Sequence, residues 1–307
     1  MRQAFRRGSD SFARLDNFIL MLHYIQRLSE EPRPFRFLAS RLLWRSGLCT
    51  GLRIVKQGYE LRFYPSSLSA ELWVDPEARQ GDEMFLRGYL RPDDVMIDVG
   101  ANIGDLTLCA STLVGDNGRV YAFEPHPRIY RFLLGNIALN GRHNVETFNA
   151  ALGESRGAAR FSSGRSDDQN SVLTGGSGIE VPLIPLDELP LGEKEIALLK
   201  VDVEGYEKFV FSGATETLRH VRCVYFESWE RHFAKFRYRL QDLLDLLQDA
   251  GFQVFRQIAV GMLSAVEDDC SEHCENLIAV RDPAEFASRS GYRFESLVSG
   301  GASSGSG

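Results

Sequence analysis

The chain has 307 residues, of which 44% are hydrophobic and 25% charged, an ordinary balance for a globular protein with one large core. Its formal net charge of −7 does not favour nucleic-acid binding, because contacts of Lys and Arg with phosphate supply most of that affinity. Residues 1–56 are the exception, with 11 Lys and Arg against 4 Asp and Glu. This basic segment could contact an anionic membrane surface or an acidic partner weakly, or form an ordinary solvated pair of helices.

The first part of the chain is predicted to be helical and then β-rich. Apolar residues recur at helical spacing over residues 1–47, with a second helix around Phe35–Trp44. Alternation over Leu52–Phe63 predicts a β-hairpin, to which Glu71–Val74 could add a strand. No apolar run reaches the length of a membrane-spanning helix. Residues 1–80 are therefore expected to form a basic helical segment and a β appendage before the main domain.

From about residue 82 to residue 282, strands and helices alternate, which defines the predicted main domain. Strands are expected at 95–99, 119–124, 145–149, 196–203, 221–227, 252–258 and 276–281, and helices at 82–90, 104–113, 127–139, 205–219 and 236–250. Apolar strands alternating with helices predict a mainly parallel sheet covered on both faces. The last two strands leave no room for a helix between them, so we expect them to pair antiparallel at one edge.

Two segments depart from this alternation. Residues 153–190 predict a hairpin that carries a polar loop at Ser163–Gly178, and this loop could be a lid or idle surface. Residues 283–307 are expected to be a C-terminal tail, partly disordered because Gly and Ser dominate from Ser299 onward.

The cysteines favour a reducing compartment. There are 5, an odd number in a long chain, and the simplest interpretation is a reduced, cytoplasmic protein. Cys270, His273 and Cys274 lie close together, but no second pair of ligands is visible, so we expect a loop there and not a structural zinc site.

A glycine-rich turn after the first core strand is the most informative stretch of the chain. Gly100 and Gly104 allow close approach of a ligand to backbone N–H groups at a helix N-terminus. A dinucleotide fingerprint has glycines at its first, third and sixth positions, where this chain has Asn102 third and Asp105 sixth. Because a carboxylate would repel a pyrophosphate, the turn disfavours NAD. Asp98, at the end of the strand, could accept from a hydroxyl or a cationic amine.

The next strand ends in Glu124, and one Glu can accept both hydroxyl groups of a ribose. A nucleoside without phosphates fits, with its ribose at Glu124 and an amino-acid tail near Gly100 and Asp98. That description fits S-adenosylmethionine. Asn149 and Ala150 end the third strand beside the expected adenine, where Asn149 could accept from the adenine amino group or serve as a turn residue.

Three charged residues share one face of a strand predicted to be central. Lys200, Asp202 and Glu204 alternate along it, and burying them is unfavourable unless they are paired or open onto a cleft. The carboxyl end of this strand is therefore predicted to face the ligand crevice. Asp202 is the first candidate to face the methyl group and the acceptor, orienting a hydroxyl or accepting its proton. Glu204 could act in catalysis or cap the following helix.

The following strand ends in Glu227, which should lie near Asp202 because sequential strands are usually neighbours. The two carboxylates could divide acid–base and orienting roles or hold a divalent cation, although nothing in the sequence requires a metal. His232 could be a base, or an exposed histidine at a helix start. The catalytic candidates are Asp202, Glu227 and His232, and no metal ligand is assigned.

Three motifs occur in a set order: Asp98-Val-Gly-Ala-Asn-Ile-Gly104, Ala122-Phe-Glu-Pro125, and Leu199-Lys-Val-Asp-Val-Glu-Gly-Tyr-Glu207. Together they resemble the FkbM family of S-adenosylmethionine-dependent methyltransferases, over about residues 50–282. The resemblance implies an α/β, Rossmann-like class I methyltransferase fold, with a seven-stranded, mainly parallel sheet and one antiparallel edge strand. The residues expected to bind S-adenosyl-L-methionine are Asp98, Gly100, Asn102, Gly104, Glu124, Asn149, Ala150 and Asp202.

The resemblance implies O-methylation of a hydroxyl group on a small molecule, sugar or secondary metabolite. A hydroxyl needs its proton removed, whereas the sulfonium is already activated, so alignment supplies much of the acceleration. The alternatives are N-methylation, a peptide acceptor, a nicotinamide-dependent dehydrogenase and a non-catalytic scaffold. The sequence does not specify the acceptor, because acceptor pockets follow no transferable code, nor the oligomeric state.

Overall fold

The structure is a computed structural model, which describes residues 32–162, 171–173, 175, 178–192, 195–266 and 273–295. The first part of the predicted N-terminal helical segment, most of the polar loop and Cys270 lie outside the described residues. In the described ranges, the helices all lack the length or the apolar character that crossing a bilayer demands.

The described chain contains fourteen strands and ten α-helices, which are numbered here in chain order. The strands are β1 (Arg53–Lys56), β2 (Tyr59–Arg62), β3 (Val95–Val99), β4 (Arg119–Phe123), β5 (Val145–Phe148), β6 (Ala151–Leu152), β7 (Gly157–Phe161), β8 (Ile179–Ile184), β9 (Ile196–Val201), β10 (Val221–Ser228), β11 (Gln253–Ala259), β12 (Met262–Ala265), β13 (Glu275–Val280) and β14 (Arg293–Phe294). The helices are α1 (Pro34–Ser46), α2 (Ser67–Val74), α3 (Gln80–Tyr89), α4 (Asp105–Val114), α5 (Pro127–Leu139), α6 (Glu207–Ser212), α7 (Thr215–Leu218), α8 (Glu230–Phe233), α9 (Leu240–Asp249) and α10 (Pro283–Ser290).

Nine strands form one sheet in the order β14-β12-β11-β13-β10-β9-β3-β4-β5. The five strands from β10 to β5 are parallel to their neighbours, and β13 is antiparallel to both β10 and β11. The predicted fold class, a mainly parallel sheet of the class I methyltransferase type, is confirmed. Two details differ from the prediction: β12 and β14 extend the sheet beyond seven strands, and the reversed strand lies between β10 and β11 instead of at the edge.

Each face of the sheet carries its own hydrophobic core, because alternate residues of the buried strands point to opposite faces. Met96 of β3 packs in the core that α3, α4 and α5 cover. Its neighbour Ile97 packs in the second core, with α6 and α9. Both residues are fully buried, which explains why β3 is continuously apolar apart from Asp98.

The N-terminal segment differs from its prediction at one element. The hairpin of β1 and β2 forms as expected, but residues 71–74, predicted as a strand, belong to helix α2. The Ser66 hydroxyl caps this helix by accepting from the N–H of Ser69 at 3.1 Å. Leu68 and Leu72, four residues apart, point into the core. Helical spacing and a cap therefore prevail over the β propensity of Trp73 and Val74.

Three further segments refine the sequence prediction. The helix predicted at 205–219 is divided into α6 and α7 at Gly213, where a Cβ would clash with the carbonyl oxygen of Gly153. The predicted hairpin of residues 153–190 is present as the antiparallel pair of β7 and β8. Residues 283–295 of the expected tail form α10 and β14, and β14 pairs parallel with β12.

Candidate active site

A cavity of about 340 Å³ lies where the central parallel strands end, within the size range of small-molecule sites. Gly100 and Asn102 follow β3, Glu124 follows β4, Asp202 follows β9, and Glu227 lies near the end of β10. Because the carboxyl ends of parallel strands meet at one edge of a sheet, four separate segments converge on this crevice.

The turn after β3 brings two strand ends together. Gly100 has φ +82°, and a Cβ there would clash with the carbonyl oxygen of Asp202. The N–H groups of Gly100 and Ala101 both donate to the carbonyl of Phe123, at 3.0 and 2.9 Å. Gly104 has φ +91° and a Cβ there would lie 2.6 Å from Leu133, so it serves packing at the start of α4 and does not line the cavity.

Glu124 is a buried carboxylate at the cavity wall, with 6% of its surface exposed. Its oxygens accept from the N–H of Asn102 at 3.0 Å and of His126 at 2.8 Å. Burial raises the pKa of Glu124 to about 7, although these hydrogen bonds act in the opposite direction. The side chain is thus fixed in place at the position where the sequence predicts a ribose acceptor.

Asp98 lies beneath the cavity and is fully buried. It accepts from the Thr107 hydroxyl at 2.6 Å, and Lys200 Nζ lies 2.9 Å from its second oxygen. Lys200 also donates to the carbonyl of Gly100 at 3.0 Å, which ties the strand to the glycine turn. Asp98 was predicted to contact the cofactor directly, but it is not among the residues that line the cavity and instead supports the turn above it.

Asp202 lines the cavity and is held between two cations. Its Oδ2 is 3.3 Å from Arg79 Nη2 and 3.7 Å from Lys200 Nζ. Burial alone would raise the pKa of Asp202, but Lys200 and Arg79 outweigh it and hold the pKa below its usual value. A carboxylate that stays ionised is a weak proton acceptor, so this environment favours the orienting role predicted for Asp202 over the role of a base.

Glu204, Glu227 and His232 form a compact group, called here the carboxylate–histidine cluster. His232 Nδ1 lies 3.2 Å from Glu204 Oε2 and 3.5 Å from Glu227 Oε2. Burial, followed by repulsion from Glu227 and Asp202, raises the pKa of Glu204 to about 9. Glu204 and Glu227 line the cavity, whereas His232 stands behind them with 8% of its surface exposed. The histidine is therefore buried, in contrast to the exposed alternative.

Asn149 and Ala150 take different positions. Ala150 lines the cavity. The Asn149 amide donates to the carbonyls of Glu124 and Pro125 at 2.8 and 3.0 Å, and this residue is not among those that line the cavity. Asn149 therefore orients the segment that carries Glu124, as a turn residue would.

Several lining residues come from a part of the chain where the sequence showed no motif. Arg79 and Asp82 lie at the start of α3, and Leu68 and Glu71 belong to α2. Arg79 Nε contacts Asp82 Oδ2 at 3.0 Å, so one arginine connects this segment to Asp202 on the opposite wall. Only the three-dimensional fold brings these residues to the site, and no local pattern distinguishes them from an ordinary helix start. Glu204, in contrast, was visible in the third motif.

The cavity is strongly acidic. Among the described lining residues, six carboxylates stand against the single cation Arg79: Glu71, Asp82, Glu124, Asp202, Glu204 and Glu227. A positively charged sulfonium is favoured in such surroundings and a pyrophosphate is not. Asp105, expected to repel a pyrophosphate itself, is buried and accepts from the Tyr59 hydroxyl at 2.8 Å; the lining carboxylates supply that repulsion instead.

Comparison with known proteins is consistent with this geometry. A family model described as the methyltransferase FkbM domain matches residues 98–254. Hexuronic acid methyltransferase AglP of Haloferax volcanii is 33% identical over 177 residues, which cover 55% of this chain and 71% of that protein. The 2-O-methyltransferase NoeI of Sinorhizobium fredii is 26% identical over 192 residues, covering 56% of this chain and 77% of that protein. A crystal structure of methyltransferase FkbM from Methylobacillus flagellatus aligns at 14% identity and a TM-score of 0.39, over 69% of this chain and 52% of that one.

Proposed function

The chain belongs to the FkbM family of S-adenosylmethionine-dependent methyltransferases, and from this premise we propose that its acceptor is a hydroxyl group of a sugar or a similar small polyol. The observation that carries the proposal is the single acidic cavity in which Glu124 and the carboxylate–histidine cluster are both reachable. The names of the two relatives, a hexuronic acid methyltransferase and a 2-O-methyltransferase, support a hydroxyl acceptor on a sugar.

The residues present fit S-adenosylmethionine. Glu124 would accept from the ribose hydroxyls, the backbone of Gly100 and Asn102 would lie under the amino-acid tail, and Ala150 would contact the adenine. When bound, S-adenosylmethionine supplies a methyl group on a sulfonium whose leaving group is a neutral thioether. The acidic lining attracts the cationic methyl donor more strongly than the uncharged product, which favours exchange after each turnover.

The opposite wall would prepare the acceptor. Asp202, held ionised between Arg79 and Lys200, can accept a hydrogen bond from the acceptor hydroxyl and so orient its oxygen. The proton released on methylation would pass to the carboxylate–histidine cluster, in which Glu227 and His232 are the predicted acid–base residues. Cofactor binding and acceptor activation are thus assigned to different walls of one cavity.

Substitution of Asp202 separates the two tasks. In Asp202→Asn we expect the affinity for S-adenosylmethionine to stay within about threefold, while turnover falls by about tenfold or more because the orienting charge is lost. Calorimetry measures the first quantity and a labelled-methyl assay the second. Asp249→Asn, an exposed aspartate at the end of α9, is the matched control and should retain both. Full turnover in Asp202→Asn would remove this residue from the mechanism.

The acceptor class is tested by a screen. Calorimetry with S-adenosylmethionine and S-adenosylhomocysteine first establishes cofactor binding, and labelled-methyl transfer is then measured on sugars, polyketides and peptides. We expect transfer to free hydroxyl groups of sugars. Transfer only to peptides or amines would contradict the proposed acceptor, and the absence of cofactor binding would contradict the assignment of the cavity.

A further inference from the structure

The carboxylate–histidine cluster has the spacing of a metal site. One ligand atom from each of Glu204, Glu227 and His232 lies within 4.8 Å of the other two. His232 Nδ1 is 3.2 Å from Glu204 Oε2 and 3.5 Å from Glu227 Oε2. Two ligands bonded at about 2.1 Å to one ion lie about 3.0 Å apart at a right angle and about 3.4 Å apart at a tetrahedral angle. The observed separations therefore match those between ligands that share an ion.

A second observation concerns the histidine itself. His232 is 8% exposed, and its Nδ1 is buried without a hydrogen-bond partner, because neither carboxylate contact has hydrogen-bond geometry. Buried polar nitrogens are almost always satisfied, so an orphaned one beside two carboxylates indicates an additional ligand. The ring of Trp229 packs against the imidazole at 4.3 Å between centroids and holds it in place.

The backbone is shaped to present these ligands. Glu204 has φ +59°, a left-handed conformation that is uncommon for a residue other than glycine and recurs at functional sites. The next residue, Gly205, has φ +102°, and a Cβ there would lie 2.7 Å from the carbonyl oxygen of His232. Only glycine allows the turn after β9 to approach α8 so closely, and this approach places Glu204 beside the imidazole.

We propose that Glu204, Glu227 and His232 bind one divalent transition-metal ion, Mn²⁺ or Zn²⁺, at the acceptor end of the cavity. One imidazole nitrogen with two carboxylate oxygens suits these ions better than Ca²⁺ or Mg²⁺, which prefer oxygen alone. Three protein ligands leave positions open for exchangeable ligands, and two of the three residues line the cavity. Asp202 is outside the set, because Arg79 and Lys200 already neutralise it.

The role of the ion rests on the proposed function. An acceptor hydroxyl would bind the ion through its oxygen, which lowers the pKa of that hydroxyl. Its proton leaves to water, and the oxygen then forms the O–C bond to the methyl group as the C–S bond breaks and its electron pair returns to sulfur. The carbon chain of the acceptor is unchanged and no oxidant is needed.

Metal binding is tested with Mn²⁺ alone on chelator-treated full-length protein, by calorimetry and by the electron paramagnetic resonance signal of free Mn²⁺. We expect saturable binding of one ion per chain. Glu227→Gln and His232→Gln should each weaken it by about tenfold or more. His143→Gln, an exposed histidine outside the cavity, is the matched control and should bind like the unmodified chain. Circular dichroism of each variant confirms folding.

Failure of the metal site and failure of the proposed function are distinguishable. Unsaturable binding, or binding unchanged in both Glu227→Gln and His232→Gln, would overturn the site; sugar methylation that persists at full rate with chelator would overturn the role of the ion while the proposed function stands. One tight Mn²⁺ lost in both variants, without methyl transfer to any hydroxyl, would support the site and contradict the proposed acceptor.

Discussion

At Glu124, burial and hydrogen bonding act on one carboxyl group in opposite directions. Burial raises its pKa to about 7, whereas the N–H groups of Asn102 and His126 and the charge of Lys200 stabilise the carboxylate, and Asp98 opposes them. Ribose hydroxyls donate hydrogen bonds, so the ionised form of Glu124 is the form that binds them. Cofactor affinity should therefore depend on pH within the physiological range.

We expect the affinity for S-adenosylmethionine to be constant above pH 8 and to fall as the pH decreases through about 7, approaching tenfold per unit below it. In Glu124→Ala the affinity should be weaker by at least about 1 kcal/mol at pH 8, and this pH dependence should disappear. Calorimetry across pH 5.5–8.5 measures both. Equal affinities for the variant and the unmodified chain would contradict the ribose assignment.

Individual site residues differ in how well the sequence predicts them. Glu124, Asp202 and Glu227 follow apolar strands, so the geometry of a parallel sheet places them at the crevice from pattern alone. Asp98 also ends a strand, yet Lys200 draws it beneath the turn, which no strand pattern reveals. Arg79 reaches the site from a distant segment through tertiary packing, and single-chain patterns carry no information about such contacts.

Among the elements, the turn between β3 and α4 depends on a missing side chain. Gly100 has φ +82°, and a Cβ would also clash with the carbonyl of Asp202. Gly141 has φ +59° but open space around the position of its Cβ. The two glycines therefore separate the effect of backbone conformation from that of a steric clash.

In Gly141→Ala we expect a loss of about 1 kcal/mol of stability, from the left-handed backbone alone. Gly100→Ala should lose more than that and also weaken S-adenosylmethionine binding by about tenfold or more, since the two strand ends must separate. Urea denaturation and calorimetry report the two effects. Equal effects of the two substitutions would show that close approach at Gly100 is unimportant.

The β1–β2 hairpin is attached to the catalytic fold by buried polar contacts. The Tyr59 hydroxyl donates to Asp105 Oδ1 at 2.8 Å, while Asp105 Oδ2 is buried without a partner. The N–H of Arg62 donates to Asn136 of α5 at 2.9 Å. Because burial raises the pKa of Asp105, this carboxyl depends on its few hydrogen-bond donors.

Tyr59→Phe should destabilise the protein by about 2 kcal/mol, because it removes a hydroxyl donor from a buried carboxyl group. Tyr130→Phe, which removes a partly buried hydroxyl beside Thr147, should cost less than about 1 kcal/mol. Urea denaturation of both variants provides the comparison. A smaller effect at Tyr59 than at Tyr130 would show that the hairpin is only loosely attached.

Elements were predicted best where one physical rule dominates. The strands and helices of the alternating region lie within a few residues of their predicted positions, because their apolar patterns are long. Residues 71–74 were wrong since four apolar-rich residues suit a strand or a helix, and the cap at Ser66 was the available signal for a helix. The division at Gly213 arises from contact with Gly153, which is remote in the chain.

For the whole molecule, buried carboxyl groups link stability to pH. Burial raises the pKa of Glu207 to about 8 and that of Glu124 to about 7, from a value of 4.5 in the unfolded chain. Glu207 accepts from the N–H groups of Val203 and Gly205, both at 3.2 Å, and supports the turn after β9. Folding thus favours the protonated form of both groups, so their contribution is complete below pH 4.5 and is lost as the pH rises through 7 to 8.

Without ligand, the free energy of unfolding should decrease by about 1–3 kcal/mol between pH 5 and pH 8.5. The carboxyl groups of Asp187 and Asp202, whose pKa values are lowered, act below pH 4 and leave this window unaffected. Urea denaturation at a series of pH values measures the slope, and Glu207→Gln should make it shallower. A stability that rises with pH over this range would contradict the assignment.

The two walls of the cavity have separate origins along the polypeptide. The family match begins at residue 98, whereas Leu68, Glu71, Arg79 and Asp82 precede it and face the strand ends from the other side. Exchanging residues 67–82 with the corresponding segment of a relative would alter the surface presented to the molecule that receives the methyl group, and would leave the nucleoside pocket as it is. Selectivity could therefore diverge in evolution, or be redesigned in the laboratory, without rebuilding the chemistry.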